Sequence, residues 1–562
     1  MTKKISILFL AVLILGNYRI SNGCTNFLIT KGATVDGSTM ITYAADSHTL
    51  YGELYYQPAM DYPAGSMRDI YEWDTGKFLG KIPQPSHTYS VIGNMNEHQL
   101  AIGETTFGGR SELSSQPDAI MDYGSLMYVA LQRAKTAREA IKVMTDLVEE
   151  FGYYSSGESF SISDSEEVWI LELIGKGKDE KGAVWVALRV PDGYICGHAN
   201  QARITTFPKN NPENCIYAKD VISFAREKGW YTGNDNDFSF SDVYAPVDFG
   251  GARFCDARVW AGFNKVADGM NQYAEYAKGI IHQDGANHFP TNRLPLWVKP
   301  NKKLTVQDVM GMMRDHFEGT ELDMTKDLGA GPHRLPYRWR GLTWSVDSVE
   351  YCNERAISTQ QTGFSFVTQS RNWLPDPIGG ILWFGVDDTY STCYAPMYCG
   401  INQIPECFQV GNGDMLTYSE TSAFWTFNMV SNFTYLRYED MIRDVQKVQK
   451  ELEDKFVTYV PAIDNAAETL YKNSSKAQAI NFITEYSVNE ANNMTARWKK
   501  LEHYLLVKYM DGNIKREKNG EFVRTETGMT PSPIFAGYPE WWYEAIVKST
   551  GDHFKVIGSP GH

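Results

Sequence analysis

Cys24 has the most distinctive chemical prospects in this 562-residue sequence, because what precedes it reads as a removable leader. Lys3 and Lys4 are followed by an apolar run from Ile5 to Leu15, then by Ser21, Asn22 and Gly23. That order is a secretory signal, with small residues three and one positions before a cut between Gly23 and Cys24. Residues 1–23 are thus expected to be removed by a signal peptidase. A thiol on the first residue of a mature chain has a partner no interior cysteine has, the free α-amine of its own residue. With an ordinary pKa of roughly 7.7 to 8.0, that amine is partly neutral near neutral pH and can take the thiol proton directly or through one water. Nucleophile and general base then come from one residue, and the chemistry this permits is attack on an amide or peptide carbonyl.

Two other accounts of Cys24 stand beside this one. A cysteine just past a signal can carry a lipid, which would make the chain a surface lipoprotein, with its aromatic content serving to bind glycans. Lipid attachment usually wants an aliphatic residue three positions before the cysteine, where this chain has Ser21. The other account is an ordinary strand cysteine with the cut elsewhere.

Other chemistries lack a signature. The sequence has no His-Glu-x-x-His, no Cys-x-x-Cys, no Gly-x-x-x-x-Gly-Lys loop and no Gly-x-Ser-x-Gly elbow, so neither a metal nor a cofactor is expected. His98 and His198 read as packed or hydrogen-bonded residues rather than bases. Eight cysteines, seven without Cys24, do not suggest a disulfide framework. The net charge of −15 is spread without a long basic run, which argues against a nucleic-acid partner. No later segment has 18 uncharged apolar residues, so no integral membrane span is expected.

The elements that must position Cys24 are legible in part. Asn26–Thr30 and Thr39–Tyr43, apolar and β-branched, flank Asp36-Gly37-Ser38 and predict a hairpin with residue 24 at the tip of its first strand. Val168–Ile174, Ala183–Val190 and Tyr194–Cys196 read as further strands, and their short connections favour an antiparallel sheet. Thr136 is placed to cap a helix carrying Ala140, Met144, Leu147 and Phe151 on one side. Late in the chain, Met441, Val445, Val448, Leu452 and Phe456 form one helical stripe, and Met494, Trp498, Leu501 and Leu505 form another. Strands early and helices late predict an α+β protein with a helical C-terminal part. The aromatic stretch Tyr538–Tyr543 reads as a chain end docked on the body of the protein.

The residues also carry a family likeness. Cys24-Thr25-Asn26 with Asp36-Gly37-Ser38-Thr39-Met40 resembles the mature N-terminus of dipeptidases of the dipeptidase A type, relatives of the secernins within the N-terminal-nucleophile (Ntn) hydrolases. The likeness continues through Met95–His98, Gly103–Arg110, Trp185–Ala187, Val190–Gly193, Gly197–Ile204, Arg355–Ser358, Phe364–Val367 and Gly379–Gly385, in the same order. It implies a four-layer αββα sandwich over residues 24–430, followed by a mostly helical region, 431–562, packed on it. It implies an exported enzyme, periplasmic or extracellular, that hydrolyses short peptides through a thioester on Cys24.

Roles follow from the same resemblance. Asp46 is expected to hold the α-amine, and Asn200 to donate to the oxyanion. Arg253, ahead of Arg258, is expected on a strand beside the site, where an arginine would favour the thiolate or meet a substrate carboxylate. Glu104 and Thr106 are expected to line the pocket. Tyr43 departs from the family, which usually has an arginine three residues before the acidic position. A tyrosine brings no permanent positive charge. That keeps open an acylase cutting a non-peptide amide of the bile-salt or penicillin type.

Overall fold

The computed structural model describes residues 23–114, 116–283, 289–339 and 341–558. The leader residues on which the signal reading rests, up to Asn22, lie outside them. The fold is α+β and is organised by two antiparallel sheets. Ten strands matter for the site: β1 (Asn26–Ile29), β2 (Met40–Asp46), β3 (Ala101–Phe107), β4 (Gly157–Ser163), β5 (Val168–Gly175), β6 (Ala183–Arg189), β7 (Ile195–His198), β8 (Thr362–Ser370), β9 (Gly380–Val386) and β10 (Ala395–Tyr398). The first sheet runs Trp297–Val298, β7, β1, β2, β8, β9, β10. The second runs Cys215–Tyr217, β6, β5, β4, β3, then Met95–Asn96, Val91–Ile92 and Tyr56–Gln57.

The expected hairpin forms, with Leu28 opposite Ile41 and Ile29 opposite Met40. Its connection is longer than a tight turn. Asp36 Oδ1 accepts from the Ser38 amide at 3.1 Å and the Ser38 hydroxyl at 2.7 Å, while Gly37 takes the left-handed φ of +82° that glycine adopts without strain. Strands β1, β2, β4, β5, β8 and β9 are buried along their whole length. Both faces are covered, so Ser and Thr occupy positions where alternation would leave polar residues in water.

The sheets face one another. Asn26 on β1 meets Ser161 on β4, and a Cβ on Gly103 of β3 would come within 2.8 Å of the Asn26 side-chain amide. His198, fully buried at the end of β7, reaches across to the Thr105 hydroxyl and the Ser161 hydroxyl, each at 2.7 Å. Burial, with Arg203 adding to it, lowers its pKa to about 3. His198 is thus a neutral pin between the sheets, with both ring nitrogens engaged. Unfolding frees it to titrate near 6.5, so the unfolded state binds a proton the folded state refuses. Its contribution is complete above about pH 6.5 and is lost as pH falls toward 3, at up to about 1.4 kcal/mol per pH unit. Denaturant unfolding at several pH values is expected to give a shallower acid slope in His198→Gln than in the parent protein. Equal slopes would contradict this.

Helices cover the outer faces. Tyr123–Arg133 and Ala137–Phe151, capped by Asp122 and Thr136, pack Leu126, Leu131, Ala140 and Met144 against Phe160, Trp169 and Leu171 of the second sheet. On the first sheet, Ala257–Val266 sets Phe263 against Phe27 of β1. The long helices Tyr438–Asn473 and Lys476–Tyr509 bury both expected stripes. They join the first sheet through the buried Arg371–Asp464 pair at 2.5 Å, and Trp498 stacks on Phe427 of the helix Ala423–Leu436. The helix Ala423–Leu436 crosses residue 430 without a break, and one apolar core runs from the first sheet into the late helices. Near the end, Trp541 lies under Arg334 and Tyr538 beside His333. Among the described residues, no helix is long and apolar enough to cross a membrane.

Candidate active site

Cys24 precedes the first strand, where Thr25 still exchanges backbone bonds with Ala44 of β2 (3.3 and 3.1 Å). The main chain is therefore fixed and the thiol is carried to the sheet's edge. The thiol opens on a cleft of about 780 Å³, whose walls include Tyr43, Asp46, Glu104, Thr106 and Asn200. The structure thus brings five of the seven residues expected around Cys24 to the cleft wall, and a sixth, Arg258, to its backbone.

Beneath the sulfur lies a clamp of charge. The Arg258 guanidinium is 1% exposed and donates to the Cys24 carbonyl at 2.5 Å, to the Thr25 hydroxyl at 2.8 Å and to the Gly23 carbonyl at 3.3 Å. Its other nitrogens reach the Asn200 side-chain oxygen (2.8 Å), the Ala199 carbonyl (3.1 Å) and the Phe254 carbonyl (2.8 Å). A guanidinium so occupied holds the backbone at the nucleophile. Because it is spent on carbonyls and lies outside the cleft wall, it has no face left for a substrate carboxylate, the role expected of it.

Arg253, expected ahead of Arg258, is elsewhere. It pairs with Glu354 (Nε at 2.8 Å) and donates to the Lys278 carbonyl at 2.8 Å. The segment is also helical and not a strand, with a wide turn over Gly251–Asp256 running into Ala257–Val266. One helical turn more carries Arg258, not Arg253, to Cys24.

Arg355, to which the sequence assigned no role, is the second cation here. It donates to Asp46 at 2.5 Å and to the Gly23 carbonyl. Asp46 also accepts from the Thr362 hydroxyl at 2.6 Å. Burial raises its carboxyl above the usual range, against the pull of Arg355 and Thr362. The positive charge that Tyr43 does not bring is thus present beside Asp46, supplied from 309 residues away.

On the cleft side the sulfur meets acid. Cys24 Sγ lies 3.7 Å from the Tyr43 hydroxyl and 3.7 Å from Glu104 Oε1, and Tyr43 donates a short hydrogen bond to that same oxygen. Burial pushes the thiol well above its ordinary pKa, and the charges of Glu104 and Asp46 add to the effect. With Gly23 still attached, the sulfur is a thiol and not a thiolate. The Asn26 side chain fixes the Glu104 backbone when its amide is oriented as the network demands, donating to the Glu104 carbonyl at 3.1 Å and accepting from its N–H at 3.0 Å.

Asn200 has the left-handed φ of +59°, an uncommon geometry that asparagine tolerates better than most residues. Arg258 fixes its oxygen, and its nitrogen donates to the Thr106 carbonyl at 2.6 Å. One of the two amide hydrogens remains for the cleft. The Thr106 hydroxyl is turned to Glu158 Oε2 at 3.0 Å. Among the described residues, no group of three or more His, Cys, Asp or Glu is placed to hold a metal ion.

The model of peptidase family C69 matches residues 23–451 of this chain. The chain belongs to peptidase family C69. The match starts at the Gly23–Cys24 junction and covers both sheets, and it is the family that the order of sequence strings implied. This C69 chain is 23% identical over 484 residues to a probable dipeptidase of Latilactobacillus sakei, covering 82% of this chain and 90% of that protein. A probable dipeptidase of Salmonella dublin is 24% identical over 417 residues, covering 70% and 84% respectively. A probable dipeptidase B of Lactococcus lactis is 23% identical over 492 residues, covering 81% and 94%. Membership in this family makes the chain a peptide hydrolase.

Proposed function

We propose that this protein is an exported cysteine-type dipeptidase, released to the periplasm or medium by a signal peptidase, with Cys24 as its N-terminal nucleophile. The observation that carries the reading is the setting of the Gly23–Cys24 peptide. Its carbonyl is gripped by Arg258 and Arg355, its Gly23 amide donates to the Asp46 carbonyl at 3.0 Å, and the sulfur opens on the cleft. Cutting that peptide leaves an α-amine among the same groups. Two guanidinium charges nearby disfavour the protonated amine, and Asp46 orients it, so a neutral base stands next to the thiol. The amine takes the thiol proton and the thiolate attacks the scissile carbonyl. The free Asn200 N–H meets the oxyanion, and the proton passes to the departing amine. Water then releases the thioester by the reverse course. We read the two stacked sheets with helices outside as the αββα sandwich of Ntn hydrolases, in agreement with the nucleophile's place at the head of a central strand.

An acylase acting on non-peptide amides stays the second reading for one reason. No Lys or Arg is among the described residues lining the cleft, so a substrate carboxylate meets no counter-ion there. Mature protein assayed against dipeptides and against bile-salt and penicillin amides decides between them. Turnover of dipeptides is expected, and turnover of the acyl amides alone would refute the dipeptidase reading.

A further inference from the structure

Glu104 and Glu158 are 2% and 0% exposed and are diagonal neighbours on the paired strands β3 and β4, Glu104 opposite Phe160 and Glu158 opposite Thr106. Glu104 Oε2 and Glu158 Oε1 are buried with no donor from the described residues. No cationic side chain is among the groups that act most strongly on either carboxyl. Two buried carboxylates in contact cannot both stay ionised. Burial, then the charge of Glu104, pushes Glu158 well above the usual carboxylate range, and Glu104 is raised less steeply. The two carboxyls therefore share one proton between them, and the pair keeps one negative charge. A buried charge without a counter-ion is expensive. This one faces the cleft, 3.7 Å from the nucleophilic sulfur.

The Cys24 α-amine is not the cation that this charge awaits. It leaves the cut on the side of Arg258 and Arg355, which disfavour its protonation, and the mechanism needs it neutral. A substrate amine fits by reach. In an aminoacyl group the amino nitrogen lies roughly 2.5 Å from the carbonyl carbon, as N–Cα and Cα–C bond lengths dictate. The carbon under attack approaches the sulfur to about 3–3.5 Å. An α-ammonium on the scissile residue can thus reach hydrogen-bond range of a carboxylate 3.7 Å from that sulfur. Tyr43, Trp73 and Tyr123 line the same cleft, and aromatic rings suit a cation better than an anion.

We propose that the Glu104–Glu158 pair is the subsite that receives the protonated α-amino group of the residue whose carbonyl Cys24 attacks. This rests on the peptidase reading of Cys24 and deepens it. The enzyme acts on free amino termini, removing the first residue, and N-acylated peptides are poor substrates. Glu104 binds the ammonium, and Glu158 positions Glu104 and keeps the pair's charge at one.

The test compares an aminoacyl p-nitroanilide with its N-acetyl form, using mature protein and its Glu104→Gln and Glu104→Asp variants. The parent protein is expected to favour the free amine in kcat/KM on the order of a hundredfold, the worth of a hydrogen bond between charged groups. Glu104→Gln is expected to lose most of that preference, chiefly through KM for the free amine. Glu104→Asp, which keeps the charge but withdraws it by a methylene, is expected to raise that KM less. Equal rates on both substrates in the parent protein would overturn the subsite while leaving the peptidase reading intact. An unchanged preference in Glu104→Gln would overturn it too. Hydrolysis of neither substrate, with none of any dipeptide either, would refute the peptidase reading and the subsite with it.

Discussion

Replacing Cys24 by alanine is expected to lower peptide hydrolysis by about four to six orders of magnitude while leaving the fold in place. The size follows from removing the nucleophile of a covalent mechanism, since partners that act as a unit lose nearly everything together. The fold survives for a structural reason. The sulfur makes two weak contacts at 3.7 Å, while the bonds that hold residue 24 run to its backbone carbonyl from Arg258 and between Thr25 and Ala44. Alanine keeps all of those. Cys24→Ser is expected to retain a small remnant, because an alcohol is much harder to deprotonate than a thiol in a pocket that already resists ionisation. Kinetics beside a thermal melt check both parts. Near-parent activity with a parent-like melt in Cys24→Ala would end the mechanism.

The second large effect is expected from a single extra residue. A chain that begins at Gly23, made by placing an engineered protease site one position earlier, keeps every side chain of the site. Its nitrogen at Cys24 is an amide, which is not a base, and its Gly23 carbonyl stays between Arg258 and Arg355. Loss of general-base assistance costs about 10² to 10⁴ in rate. The loss is expected at the upper end of that range, because burial and the Glu104 and Asp46 charges hold the proton on the sulfur. Comparable kcat/KM for chains starting at Gly23 and at Cys24 would exclude the α-amine as the base.

What the sequence made legible was whatever is local. The hairpin carrying Cys24, the helix capped by Thr136 and the two late apolar stripes each depend on spacing within about fifteen residues, and each is where the pattern placed it. Strands such as β4 and β8 were harder to read, because burial on both faces removes the alternation that marks a strand. The acidic and amide residues of the cleft came from ordered sequence strings that resemble a family, and no pattern in the chain alone would have selected them. Long-range charge pairing was illegible altogether. Arg355 reaches Asp46 across 309 positions, and Glu158 meets Glu104 only through strand register. The choice of Arg253 over Arg258 shows the limit most sharply, since two arginines five apart exchange roles once the segment is helical and not extended.

The whole mechanism stands on where the mature chain starts, so the most direct measurement is the intact mass and N-terminal sequence of the purified, active protein. The expected result is a chain that begins at Cys24 with an unmodified amino group, whose alkylation by iodoacetamide at that residue removes activity in step. Full activity in a chain that starts elsewhere, or in one whose Cys24 amine carries an acyl group or whose sulfur carries a lipid, would contradict the account.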